Sequence, residues 1–197
     1  LDMIKLLLDH SAPIDSMFSS DGSSETALHV ACSNGHLETV ELLISRGASM
    51  SVSGHSGPAL GFAVGASRLE VVKCLLRNGA DATITVPLLP FLNGAPPPPL
   101  HANLLYVAMR IRHPWLYDAR RRARKEFTPW EGLPLRDDQK QIMALLLAHG
   151  SSKDAAMETI SSNLTALAKA AGHVEEEFVR VVTAMIKEAE GLVPSLS

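Results

Sequence analysis

Three stretches of this chain are near-copies of one another. LETVELLI, Leu37 to Ile44, is preceded 36 residues earlier by LDMIKLLL, from Leu1, and followed 32 residues later by LEVVKCLL, from Leu69. A chain repeating at such a period has no single central core, because each unit buries its apolar face on its neighbours. In the middle copy, Leu37, Val40, Leu43 and Ile44 fall on one face of a helix. Just upstream, Thr26 is placed to cap a shorter helix, since its hydroxyl accepts from a free N–H of the first turn. Ala27, Leu28, Val30 and Ala31 give that helix small residues where another helix must come close. Asn34-Gly35 ends it and Gly47 ends its successor, because these residue types tolerate a left-handed backbone. Neither helix is long enough to persist alone.

Thr26-Ala27-Leu28-His29, Ala31, Gly35-His36-Leu37-Glu38, Leu42-Leu43 and Gly47-Ala48 closely resemble an ankyrin repeat. The resemblance is strongest at Glu25 to Ser49 and weakest after Gly150. It implies one all-α domain, an ankyrin-type helix-turn-helix repeat solenoid with a long insertion inside the fourth repeat. Residues 1–15 are then a partial repeat, 20–52 and 53–86 the second and third, and 87–101 a Pro-rich linker or long finger. Residues 102–152 form the fourth repeat, carrying the insertion at 112–136, and 153–197 a divergent capping repeat. In the third repeat Pro58 replaces the capping threonine and Gly61 the histidine, so the Thr–His contact implied for Thr26 and His29 is lost there. In the fourth, Asn103 is the cap, Tyr106 takes the histidine position, and Gly150 stops a helix built on Ile142, Leu145 and Leu146. Near the end, Leu164 to Glu175 mirrors Ala27 to Glu38, and Phe178, Val181, Val182, Met185 and Ile186 mark a long last helix.

Composition fits stacked short helices. The chain is 46% hydrophobic but only 5% aromatic, so its core is aliphatic and alanine-rich. A net charge of −3 exerts no global pull towards nucleic acid or membranes. Cys32 and Cys74 lie inside helical patterns, as small apolar residues of a reducing interior do, which points to an intracellular setting, cytoplasmic or nuclear. The sequence shows no signal peptide and no apolar run of about eighteen residues; the nearest, Val86 to Leu100, is broken by prolines. Leu1 falls in mid-pattern, as in a piece of something longer.

No reactive constellation emerges. His29 lies three residues before Cys32, but nothing supplies a third group to orient a base. The resemblance instead implies that His29 braces adjacent repeats. The eight histidines are scattered without metal-ligand spacing, and no glycine-rich phosphate cradle appears. The expectation is a non-enzyme with no cofactor and no metal. The most distinctive segment is the insertion. From Arg110 to Lys125, seven cations stand against Asp118, with Trp115, Tyr117, Phe127 and Trp130 interleaved or just beyond. Such a mixture suits a protein hot spot, phosphate contact with base stacking, or, at Arg120 to Lys125, a nuclear import signal. It also suits a solvated excursion whose tryptophans pack back on the stack. Pro96 to Pro99 impose polyproline II geometry, as a stiff spacer or a docking motif.

In the ankyrin family the hairpin fingers and first helices line a concave face that binds proteins. Carried onto this chain, that face offers Ser23, Ser24, Glu25, Ser53, His55 and Ser56 from the fingers. Ser33, Asn34, Gly65, Ala66, Arg110 and Ile111 come from first helices, and Trp115, Arg120, Arg121, Arg122 and Trp130 from the insertion. The expected function is non-catalytic protein recognition by a monomeric, rigid scaffold, with no membrane contact. Two alternatives stay open: a nucleic-acid-associated or nuclear regulatory protein using residues 110–130, and an accessory domain of a larger enzyme or sensor.

Overall fold

A computed structural model describes residues 1–20, 23–54, 57–88, 100–109, 135–159 and 175–195. The expected insertion up to residue 134, Pro96 to Pro99, His55, Ser56, and the copy expected from Leu164 to Val174 lie outside the described residues. Helix α1 spans Asp2–Asp9. The pairs α2 (Ala27–Asn34) and α3 (Leu37–Ser45), then α4 (Ala59–Gly65) and α5 (Leu69–Arg77), are complete helix-turn-helix units. Helices α6 (Leu104–Ala108) and α7 (Asp137–Ala148) make a third such pair, followed by a helical stretch at 153–159 and α8 (Glu175–Leu192).

One backbone device closes every second helix and shows the repetition directly. Ser11, Gly47, Gly79 and Gly150 take φ of 62°, 90°, 85° and 90°. Each donates its N–H three residues back, to Leu8, Ile44, Leu76 and Leu147 at 2.9–3.1 Å. Each following residue donates five back, to Leu7, Leu43, Leu75 and Leu146 at 2.9–3.0 Å. These paired bonds satisfy carbonyls the helix end leaves open and turn the chain towards the next finger. Residues 137–151 thus close in the same manner as 37–48.

The first helices α2, α4 and α6 pack side by side, and the second helices α3, α5 and α7 line up behind them. Each first helix also packs on the second helix of its own unit. Small residues permit the approach: Ala31, Ala59, Gly61, Ala63 and Ala108 are buried at the contacts. Leu28, Val40, Leu43, Leu60, Val72, Leu75, Leu104, Ile142, Met143 and Leu146 fill the space between layers as one continuous aliphatic core. Burying such a side chain contributes roughly 1.5–3 kcal/mol, so stacking rather than helix propensity holds the array.

At the far end α8 lies on α7, burying Val182, Ile186 and Ala189. Lys140 pairs with Glu188 at 2.6 Å and Lys153 with Glu190 at 2.8 Å, fixing the register of that helix at its wet edge. Those hydrogen bonds, first among the causes, hold both lysine pKa values above the ordinary range. Leu135, buried, and Arg136, the cap of α7, belong to the start of that helix, although the insertion is expected to run to residue 136.

Strand β1 (Phe18–Ser20) pairs antiparallel with β2 (Ser23–Glu25), and β3 (Thr85–Leu88) with β4 (Leu100–Asn103). Between these fingers a single bridge joins Gly54 and Gly57. The two ends of the 87–101 segment are therefore strands of a long finger, with Leu88 opposite Leu100, and not a free linker.

Candidate functional site

The fingers and first helices form one surface, and its order starts at Thr26 and His29. Thr26 caps α2: its hydroxyl oxygen accepts from the His29 N–H at 3.4 Å, and His29 Nδ1 accepts from the Thr26 N–H at 3.0 Å. With Nδ1 accepting, the proton lies on Nε2, which donates to the Val52 carbonyl at 2.9 Å. The imidazole ring stacks on Phe62, centroids 4.5 Å apart. One buried ring thereby joins the helix start, the base of the next finger and the first helix of the next repeat.

Asn103 does part of this work at the start of α6. Its Oδ1 accepts from the Tyr106 N–H at 3.0 Å while Nδ2 donates to the Ser152 carbonyl. Pro58 heads α4 with no side-chain cap, as its sequence predicts, and α4 is held by burial of Ala59 to Val64.

Neighbouring fingers approach closely at two glycines. A Cβ at Gly54 would meet the Ser24 carbonyl at 2.8 Å and the Phe62 ring at 2.9 Å. A Cβ at Gly57, where φ is +84°, would meet Val86 Cγ1 at 2.7 Å. The middle finger is thus wedged between the first finger and β3, with no room for a Cβ at either glycine. This row is pre-organised, which reduces the entropy lost when a partner docks.

Among the predicted contact residues, the structure brings Ser24, Glu25 and Ser53 onto this row; Ser24 and Ser53 are exposed and Glu25 half-buried. Ser23 opens β2. Ser33 and Asn34 are engaged locally: the Ser33 hydroxyl and Asn34 Nδ2 both donate to the Val30 carbonyl at 3.0 Å, as short polar groups do at a helix end. Gly65 and Ala66 are half-buried. His55, Ser56, Arg110, Ile111, Trp115, Arg120, Arg121, Arg122 and Trp130 lie outside the described residues.

Several contributors escape sequence reasoning. Arg68 reaches across repeats, its Nε donating to the Ser33 carbonyl at 3.0 Å while its side chain lies over Gly35. Phe62 beneath His29, and Gly54 and Gly57 beside their neighbours, carry no local signal beyond a paired glycine spacing. Asp81 accepts from the Thr83 hydroxyl and N–H, which holds its carboxyl below the ordinary aspartate range and keeps it charged beside the fingers. Cys32 and Cys74 are free and buried. Burial, reinforced by Cys74, pushes the Cys32 thiol up to about 12, so it is an inert core atom at neutral pH.

Among the described residues, no three His, Cys, Asp or Glu side chains gather as a metal site requires, and no helix is long and apolar enough to cross a membrane. No curated protein matches the chain. Residues 1–86 match the family model for ankyrin repeats in three copies, which span α1 to β3 and the finger row described above. Ankyrin repeats are generally protein-interaction modules and are typically non-catalytic. The repeated helix stops, the stacked first and second helices and this match agree: residues 1–86 are an array of ankyrin repeats.

Proposed function

We propose that the chain is a rigid protein-recognition module whose partner docks on the finger row and the adjoining faces of α2 and α4. The observation that carries this reading is the wedge of Gly54 and Gly57 between Ser24 and Val86, which supports a fixed, close contact between fingers. A surface held this way spends little of the interaction energy on ordering itself. Glu25, Ser53 and the neighbouring finger residues Ser23, His55 and Ser56 supply polar contacts. The basic, aromatic segment with Arg110, Trp115, Arg120, Arg121, Arg122 and Trp130 adds a cationic end suited to an acidic, partly apolar partner.

Affinity capture tests the reading with three forms of the chain: intact, substituted at the fingers (Ser24→Arg with Ser53→Arg), and lacking residues 114–130. Proteins retained by the intact chain and lost with the finger substitutions place the interface as proposed. Retention by the finger variant with loss on deletion moves the interface to the basic segment. If the proteins lost on deletion give way to nucleic acid in the intact capture, the nucleic-acid alternative holds instead.

A further inference from the structure

An asparagine followed by glycine is open to attack by the next backbone nitrogen on its own side-chain amide, because glycine has no Cβ to obstruct the approach. The chain holds three such pairs: Asn34-Gly35, Asn78-Gly79 and Asn93-Gly94, the last outside the described residues. The first two stand at helix ends, Asn34 as the last residue of α2 and Asn78 directly after α5. Both asparagines are exposed to water, yet both reacting groups are tied down. Asn34 Nδ2 donates to the Val30 carbonyl at 3.0 Å, and the Gly35 N–H to the Ala31 carbonyl at 3.0 Å. Asn78 Nδ2 donates to the Cys74 carbonyl at 2.8 Å, and the Gly79 N–H to the Leu76 carbonyl at 3.0 Å. In each pair the amide that would be attacked is held back along its own helix. The nitrogen that would attack keeps its proton on a carbonyl oxygen.

We propose that Asn34 and Asn78 are modification sites at which the array ages, each losing ammonia to its following glycine only while its own helix end is open. Water is the one co-reactant. The glycine nitrogen bonds to the asparagine Cγ, its proton leaves with the amide nitrogen as ammonia, and a cyclic imide closes. Water then opens the imide at either carbonyl. Attack at Cγ gives aspartate; attack at the backbone carbonyl gives isoaspartate, with the chain running through Cβ. Either product has lost the Nδ2 donor that tied the helix end, and has gained a negative charge where the helix dipole is also negative. Isoaspartate lengthens the backbone besides, so the glycine no longer meets its carbonyl at the φ of 81° or 85° seen at Gly35 and Gly79. The modified end stays open.

The two sites differ in cover. A Cβ on Gly35 would meet Arg68 Cδ at 2.9 Å, and Arg68 Nε donates to the Ser33 carbonyl at 3.0 Å, so the next repeat is latched over the first site. Among the described residues, nothing lies within 4 Å of a Cβ on Gly79.

The test incubates the whole chain at neutral pH and maps aspartate and isoaspartate at both positions by peptide mass spectrometry, beside free peptides of residues 29–40 and 73–84. Two hydrogen bonds must open before either ring closes, so each site is expected to convert roughly 30-fold more slowly than its peptide, or more slowly still. In unfolding urea both sites reach the peptide rate. Arg68→Ala removes the latch over Gly35 and speeds Asn34 several-fold while Asn78 keeps its rate. In the aged chain, amide exchange is faster at the end of the modified helix. Conversion at the peptide rate in the folded chain overturns the proposal, and so does a site that stays intact in urea. An Arg68→Ala chain in which the two sites change alike overturns opening at each helix end separately. An aged chain whose helix ends exchange as before overturns the lasting opening.

Discussion

Replacing His29 by alanine tests the physical link between fold and surface. The ring is 1% exposed and hydrogen-bonds the Thr26 N–H, a buried bond, and the Val52 carbonyl, a part-buried one, besides its stack on Phe62. Each buried hydrogen bond is worth about 1 kcal/mol net, and more when its former partner stays buried and unpaired. The ring stack adds roughly 0.5–1.5 kcal/mol, and the space left by the ring costs further because the neighbours collapse only in part. The sum is about 3–5 kcal/mol of destabilisation, read by urea denaturation at constant slope. His29→Gln separates the contributions. Glutamine at the third helical position still accepts from the capping residue's N–H, but it lacks the ring and the bond to Val52, so it costs about half as much. A loss below about 1 kcal/mol for alanine, or equal losses for both variants, refutes the bracing role.

Ser67 takes φ of 55° where Gly35 stands in the preceding repeat, and its hydroxyl is buried without a hydrogen-bond partner. Ser67→Gly therefore stabilises by about 1 kcal/mol in the same assay, since relief of left-handed strain and of the unpaired hydroxyl exceeds the added chain entropy. Gly57→Ala destabilises more than Gly47→Ala, because both need positive φ but only Gly57 has Val86 at 2.7 Å from the added carbon; equal losses would count against the finger wedge. Alkaline unfolding reports Cys32, whose thiol rises from 9.0 to about 12 on folding. Between those values the unfolded thiol loses its proton and the folded one keeps it, so stability falls as pH rises, by about 1.4 kcal/mol per unit. The stability difference between the parent and Cys32→Ala should shrink across that window, and a constant difference contradicts the assignment.

What the sequence made legible follows from how local each signal is. Thr26, Asn34-Gly35 and Gly47 act within one turn of chain, and the helix they bound is found at Ala27–Asn34. The apolar spacing of Leu37, Val40 and Leu43 needs only helical periodicity to be read, and Val40 and Leu43 are buried accordingly. Contacts between repeats are another matter. Arg68 with Ser33 and Gly57 with Val86 join residues far apart in sequence, and no periodicity marks them. Ser67 hides for the opposite reason: a serine gives no sign of the left-handed backbone that its place in the repeat imposes. The 87–101 segment misleads through its prolines, since Thr85–Leu88 and Leu100–Asn103 pair outside the proline run. Ser33 and Asn34 are polar at the helix end because they serve that end, which composition alone does not distinguish from service to a partner.

The most direct test of the account is amide hydrogen exchange on the complex with a captured partner, compared with the free chain. Protection concentrated on the fingers, at residues 18–25, 50–58 and 85–103, and on α2 and α4 is the predicted result. A footprint confined to the outer helices α3, α5 and α7, with the fingers exchanging as in the free chain, contradicts it.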